Sequence, residues 1–249
     1  LSYNHIYVQD LRSYAGKANH VATLVYTWRP FLDQIWAAVA GSRPSNAPAH
    51  KVWVTQIASS LTWLRSFMHC ERGTLERRWR FDYYAENGRK VTVILDASPF
   101  GLGGILLKYC IIVAWFSDAL TAEDERIHQH RIGDDTGQQT WEALVVLVAV
   151  KLWTPRWRHH RTTITLQSDN MAALALVANM KGRTSATISR ELALAMSSAS
   201  FQPRFLEHIP GVMNAAADAL SRLMDSAGNF EVPAVLQGVH RDRVPLRDE

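Results

Sequence analysis

Four acidic residues stand where a carboxylate has little reason to be unless something binds it. Asp96 ends the apolar, β-branched run Val91-Thr92-Val93-Ile94-Leu95. Glu142 lies in Thr140-Trp141-Glu142-Ala143-Leu144-Val145-Val146, and its helical neighbours Val145, Val146, Ala149 and Val150 are all apolar, so it begins a buried stripe. Asp169 ends Leu166-Gln167-Ser168-Asp169-Asn170, and Asp218 sits in Ala215-Ala216-Ala217-Asp218-Ala219-Leu220. Burying a lone carboxylate is costly, so each such site needs a partner. Four at strand ends and helix starts can share a pair of divalent cations, because Mg²⁺ prefers carboxylate oxygens. Two such ions clamp the attacking and leaving oxygens of a phosphodiester displacement. Taken singly, each has another reading: Asp169 with Asn170 suits a helix N-cap, and Glu142 suits helix-start electrostatics. Together, the four favour shared cations.

The elements that must position them change period along the chain. Residues 1–80 read as helical. Val21, Leu24, Val25 and Trp28 repeat at helical spacing, Arg29-Pro30 interrupts, and Phe31, Ile35, Trp36 and Val39 continue. A loop of turn formers, Gly41 to Pro48, precedes a further stripe of Ile57, Leu61, Leu64 and Met68. These stripes are core packing, and nothing in the block is catalytic. Arg72, Arg77, Arg78, Arg80, Arg89 and Lys90, with acids interspersed, read as a solvated connector more than a nucleic-acid patch.

From residue 90 the pattern alternates strands and helices. Strands are expected at Val91–Leu95, Ile105–Lys108, Ile111–Phe116, Thr162–Gln167 and Arg204–Ile209, the first three as an antiparallel meander. Helices are expected at Thr140–Trp153, Asn170–Met180, Ser185–Ser198 and Asn214–Met224, and Thr121–Gln139 as a long loop. The fold class is α/β. Residues 225–249, with Gly228, Pro233, Gly238 and Pro245, show no periodic face and read as a tail or linker.

The stretch Val93-Ile94-Leu95-Asp96-Ala97-Ser98-Pro99-Phe100-Gly101-Leu102-Gly103-Gly104 resembles the opening strand of retroelement ribonuclease H domains. Ser168-Asp169-Asn170 resembles their third-carboxylate motif. The sharpest match is His208-Ile209-Pro210-Gly211-Val212-Met213-Asn214-Ala215-Ala216-Ala217-Asp218-Ala219-Leu220-Ser221-Arg222, an ending carried by reverse-transcriptase polyproteins of long-terminal-repeat and tyrosine-recombinase retrotransposons. The resemblance covers residues 90–224. Residues 11–32 more weakly resemble the thumb or connection region upstream. The polymerase signature Tyr-x-Asp-Asp is absent.

The resemblance implies a ribonuclease H-like mixed five-stranded sheet flanked by helices, after a small helical region. It implies cleavage of the RNA strand of RNA–DNA hybrids with two Mg²⁺ ions, or Mn²⁺ in their place. Asp96 would bridge both ions. Glu142 and Asp169 would hold the ion at the leaving oxygen, with Glu142 near the RNA 2′-hydroxyl, and Asp218 the ion that activates water. The products would be a 3′-hydroxyl and a 5′-phosphate. Gly101 and Gly103 would let backbone approach the hybrid, and Asn170 would contact it. The chain departs from cellular ribonucleases H in one respect: Pro210 to Asn214 is too short for their mobile histidine loop and contains no His. His208 is read as structural, and slower turnover is expected.

The formal net charge of +4 permits a polyanionic partner without requiring one. Cys70 and Cys110 cannot build a disulfide framework and suit a reducing compartment, cytoplasmic or nuclear. The longest apolar run, Ala143–Val150, is too short to span a bilayer, and the start at Leu1 without a signal peptide suggests a piece of something longer; the resemblance implies the polymerase portion of the same polyprotein as a partner. The Gly101–Leu106 stretch lacks the third glycine of a dinucleotide loop. His128, His130, His159 and His160 lack supporting zinc ligands, and Arg156 to Arg161 is as readily a solvated turn as a phosphate contact. Two other functions stay open: an inactive retroelement fragment that keeps the fold and binds nucleic acid, and a DNA strand-transferase.

Overall fold

The computed structural model describes residues 4–41, 46–71, 89–157, 162–180, 186–198 and 205–245. The chain divides into two compact units, Leu1–Arg77 and Arg78–Glu249.

In the first unit, β1 (His5–Tyr7) pairs antiparallel with β2 (Lys51–Trp53). Three helices accompany them: α1 (Val8–Leu24), α2 (Arg29–Val39) and α3 (Ala58–Met68). The expected apolar stripe on α1 is not its core face. Leu24 and Val21 are exposed, and the buried residues are Leu11, Ala15, Ala18 and Ala22. Small side chains recur there at helical spacing, and α2 packs against that helix with Phe31, Leu32 and Ile35 buried. Pro30 occupies the first turn of α2, where its missing N–H costs no helical bond. Phe67 of α3 meets the Phe31 ring edge-on at 5.1 Å, and Met68 is exposed.

The second unit is built on a five-stranded sheet. The strands are β3 (Arg89–Ala97), β4 (Gly101–Lys108), β5 (Ile111–Ala119), β6 (Thr162–Ser168) and β7 (Phe205–His208). Their order is β5-β4-β3-β6-β7. β3, β4 and β5 form the expected antiparallel meander, while β6 lies parallel to β3 and β7 parallel to β6. Side-chain alternation divides the sheet into two faces. One carries Leu95, Phe116 and the space beside Gly104, with Trp153 of α5 (Gln138–Trp153) 5.2 Å from the Phe116 ring. α5 is apolar almost all round because β3 and β4 lie on one side and α6 (Met171–Asn179) and α7 (Ala186–Ser198) on the other. The opposite face carries Ile105 and Trp115 and is covered by Ala217 and Leu220 of α8 (Ala215–Ser221). The expected mixed sheet flanked by helices is therefore present.

The β1–β2 pair departs from the helical reading of residues 1–80, its three-residue strands being too short to leave an alternating pattern, and two segments of the second unit also differ from expectation. The polar stretch 121–139 contains a helix, α4 (Ala122–His128), started by a capping box in which Thr121 and Asp124 bond each other's backbone N–H. The second is the C-terminal segment, which over its described part is not a linker. Leu236 is buried with Ile105, Trp115, Ala217 and Leu220. Residues 240–242 pair with β5: Trp115 N donates to the His240 carbonyl at 3.1 Å, and Asp242 N to the Trp115 carbonyl at 2.8 Å. Trp153 Nε1 donates to the Asp242 carboxylate at 2.8 Å, and Arg156 forms an ion pair with it. Glycines and prolines interrupt this segment, so it packs through isolated anchors that leave no period in the sequence.

Candidate metal centre

The parallel pairing of β3 and β6 sets two chain ends side by side. Asp96 lies near the end of β3, opposite Gly103 of β4 and therefore on the α8 face. Asp169 follows the last residue of β6. Glu142 lies one turn into α5, which packs across β3. One carboxylate oxygen from each of Asp96, Glu142 and Asp169 falls within 4.8 Å of the others.

Asp96 and Glu142 are each only 4% exposed, and Asp169 is half-buried. Burial, and to a lesser extent the charges of Asp169 and Asp218, push the Asp96 carboxyl up to about 7, against the opposing pull of the Ser221 hydroxyl and of Arg222. Burial and the Asp96 charge push Glu142 well above the carboxylate range, opposed by a hydrogen bond from Gln138. Gln138 Nε2 lies 2.9 Å from Glu142 Oε1 and 2.6 Å from the Ala97 carbonyl. Glu142 Oε2 is buried with no hydrogen-bond partner among the described residues. A buried, unpaired carboxylate oxygen beside two further carboxylates is what a cation would satisfy. The all-oxygen donor set fits a hard divalent ion of the Mg²⁺ or Mn²⁺ class.

Asp218 stands outside this group. Arg222 Nε donates to its Oδ1 at 2.6 Å, one helical turn on, and both side chains are about two-fifths exposed (40% and 43%). Its charge nonetheless reaches Asp96 and helps raise that carboxyl. Three of the four expected ligands are thus brought together, and the fourth lies nearby with a different partner.

Gly101 and Gly103, expected to let backbone approach a hybrid, lie against the chain's own last helix. A Cβ on Gly103 would stand 2.5 Å from the Ala217 carbonyl and 2.7 Å from Ser221 N, and one on Gly101 2.7 Å from the Ser221 carbonyl. The space beside them is filled by the chain's own last helix. Gly101 and Gly103 admit α8 onto β4, and both are buried. Asn170 caps α6: its Oδ1 accepts from Ala172 N at 2.8 Å and Ala173 N at 3.1 Å. The capping role that Asp169 and Asn170 could have shared thus falls to Asn170, leaving the Asp169 carboxylate to face the cluster. A ring nitrogen of His208 lies 3.0 Å from the Asp169 carbonyl, consistent with a structural role. His128 and His130 flank the Trp141 ring. Arg156 is engaged with Asp242, while residues 158–161 and the basic run at 72–80 lie outside the described residues.

Sequence reasoning passed over Asn214, Ser221 and Gln138. Asn214 is 1% exposed, and its Nδ2 lies 3.1 Å from Asp96 Oδ1, 3.1 Å from the Leu95 carbonyl and 3.4 Å from Asp169 Oδ1. Ser221 Oγ lies 2.7 Å from Asp96 Oδ2. The available signal was two polar residues bracketing a short helix of alanine and leucine.

No protein-family model matches the chain, and no curated protein matches it. Among solved structures, it is similar to the ribonuclease H1 of the halophilic archaeon Halobacterium salinarum NRC-1 (14% identity, TM-score 0.35, covering 53% of this chain and 92% of that one). It is also similar to LC11-RNase H1, isolated from compost by a metagenomic approach (15% identity, TM-score 0.36, 57% of this chain and 98% of that one). A third similarity is to the foamy viral protease–reverse transcriptase in complex with double-stranded DNA (12% identity, TM-score 0.27, 84% of this chain and 35% of that one).

Proposed function

We propose that the chain is a metal-dependent endonuclease that hydrolyses the RNA strand of RNA–DNA hybrids, as the ribonuclease H portion of a retroelement reverse transcriptase. The observation that carries this reading is the group formed by Asp96 and Asp169 at the ends of two adjacent parallel strands and the buried Glu142 of α5, whose Oε2 has no hydrogen-bond partner among the described residues. The sheet order and the resemblance of residues 90–224 to retroelement ribonucleases H support it.

Asp96, Glu142 and Asp169 would hold Mg²⁺, which when bound supplies Lewis-acid stabilisation of the phosphodiester and lowers the pKa of the attacking water. Asp96, gripped from α8, presents its carboxylate to the other two. Gln138 fixes Glu142 through Oε1, and Oε2, with no hydrogen-bond partner among the described residues, would be its ligand atom. Asp218 would complete the set by exchanging Arg222 for the ion, since its side chain is two-fifths exposed and one turn from that guanidinium. The helical unit upstream is proposed as a thumb- or connection-like region, with the polymerase portion of the same polyprotein as its partner. No helix among the described residues is long and apolar enough to cross a membrane. An intracellular, reducing setting is proposed from the two free cysteines.

The test is cleavage of end-labelled RNA–DNA hybrid, single-stranded RNA and duplex DNA with Mg²⁺ and with a chelator. The expected result is Mg²⁺-dependent cutting of the RNA strand in the hybrid alone. Hybrid binding without cleavage in any divalent ion would replace the enzyme by a nucleic-acid-binding remnant.

A further inference from the structure

α8 does something to Asp96 that the carboxylate cluster alone does not explain. Asn214 and Ser221 lie seven positions apart, at the two ends of α8, and so fall on one face of it. Each takes a different oxygen of the same carboxylate: Asn214 Nδ2 is at Oδ1 and Ser221 Oγ at Oδ2. Both side chains are fully buried. Asn214 stands at the helix N-cap position, where an Asn oxygen ordinarily accepts from the first backbone N–H groups. Here it makes no such bond, and its Oδ1 has no partner among the described residues. The amide is turned inward and forgoes the cap: its two N–H donors face Asp96 Oδ1 and the Leu95 carbonyl at 3.1 Å, with Asp169 Oδ1 as a shared third acceptor at 3.4 Å. Ser221 is also within 2.9 Å of the Asp218 carbonyl, but its single proton is better spent on a charged acceptor.

The helix is itself pinned. Ser98 Oγ donates to the Ser221 carbonyl at 2.7 Å and Ser117 Oγ to the Leu220 carbonyl at 2.8 Å, over the two glycines that let α8 approach. The position of the Ser221 hydroxyl is therefore set by the sheet that also carries Asp96.

We infer that Asn214 and Ser221 are positioning residues: they clamp the plane of the Asp96 carboxylate, and Asn214 holds Asp169 beside it, so that the two aspartates present a preformed site to a divalent cation. This rests on the metal-dependent reading above. The clamp replaces reorganisation on binding, and removal of partners that orient metal-ligating carboxylates typically weakens metal affinity about 10–100-fold.

Mn²⁺ binding to the full chain, followed by the electron paramagnetic resonance of the free ion, separates the possibilities without requiring turnover. Ser221→Ala removes one hydroxyl from a buried site and should fold. Ser221→Thr retains the hydroxyl. Asn214→Asp keeps the shape and removes the donor. Ser221→Ala and Asn214→Asp should change the Mn²⁺ dissociation constant, with Ser221→Ala weaker by about tenfold or more and Ser221→Thr close to wild type. Asn214→Asp should make the affinity more steeply pH-dependent, since a further carboxyl must ionise. Equal Mn²⁺ affinity and pH profile in all variants, with only thermal stability altered, would overturn the clamp and leave the metal site standing. A wild-type chain that takes up no Mn²⁺ overturns both.

Discussion

The two faces of the sheet are closed by different chemistry. On one, α5 fills space: Leu144, Val145, Val148 and Trp153 are buried, and contact with β3 and β4 is made by bulk. On the other, α8 comes so near β4 that two glycines are required, and the hydroxyls of Ser98, just after β3, and Ser117, on β5, bond its last carbonyls. Apolar packing tolerates small shifts because dispersion is undirected. A hydroxyl or amide aimed at one carboxylate oxygen does not. The candidate metal centre lies where these two coverings meet, with Glu142 supplied by the forgiving layer and Asp96 gripped by the exacting one.

The largest expected effect comes from changing charge at that meeting point without changing shape. Asp169→Asn should lower Mg²⁺-dependent hybrid cleavage by orders of magnitude while hybrid binding persists. Asn170 already caps α6, so folding should survive. Without metal, thermal stability should stay level or rise, because one of several mutually repelling charges is gone. Cleavage and melting measured on one preparation decide it, and near-normal cleavage would remove Asp169 from the site.

A second expectation concerns pH. Asp96 is raised from 3.8 to about 7, and Glu142 is raised as well. For an acid whose folded pKa lies above its unfolded value, the folded state retains a proton that the unfolded state loses. Stability is therefore fully present below about pH 4 and falls as pH climbs to about 7. At about 1.4 kcal/mol per unit, Asp96 alone accounts for up to about 4 kcal/mol. Urea unfolding of the metal-free protein across this window should show the decline, and saturating Mg²⁺ at pH 7 should reverse it. Flat stability from pH 4 to 7 would mean the carboxylates are not buried together.

The comparison of faces is sharpened by adjacent glycines. Gly103→Ala drives a methyl against backbone, the Ala217 carbonyl and Ser221 N, whereas Gly104→Ala meets the Phe116 ring and a Leu95 methyl. Overpacking costs about 1–3 kcal/mol. Gly103→Ala should fall at or above the upper end, and Gly104→Ala lower, because a side chain can turn and a helix backbone cannot without releasing Ser98 and Ser117. Gly103→Ala should also weaken Mn²⁺ binding. Equal melting temperatures and metal affinities for the two variants would erase the distinction between the faces.

Much of the strand pattern was legible because β-branched runs bounded by turn formers leave a local trace. The meander followed from the short connections at Pro99 and Tyr109-Cys110. α4 was missed because its seven residues are mostly charged and its start lies in a Thr121–Asp124 capping box rather than an apolar stripe. The core face of α1 was misassigned because its buried side is largely alanine, which scores as weakly apolar but packs closely. The C-terminal anchors Leu236, Arg241 and Asp242 were invisible for a related reason: each contacts a residue more than 80 positions away.

The sequence by itself determined which carboxylates were out of place, because an acidic residue inside an apolar run carries its own cost wherever the chain goes. It determined most of the order of strands and helices beyond residue 89, because periodicity is local, but neither α4 nor the strands β1 and β2. Only the tertiary structure decided that three of those carboxylates share a site while Asp218 pairs with Arg222, and that Gly101 and Gly103 make room for α8. Only it showed that Asn214 and Ser221 face Asp96. Convergence depends on the parallel register of β3 and β6 and on the depth to which α8 settles on β4. Both are set by contacts between segments more than 60 residues apart in the chain, and no local pattern encodes a distance of that kind.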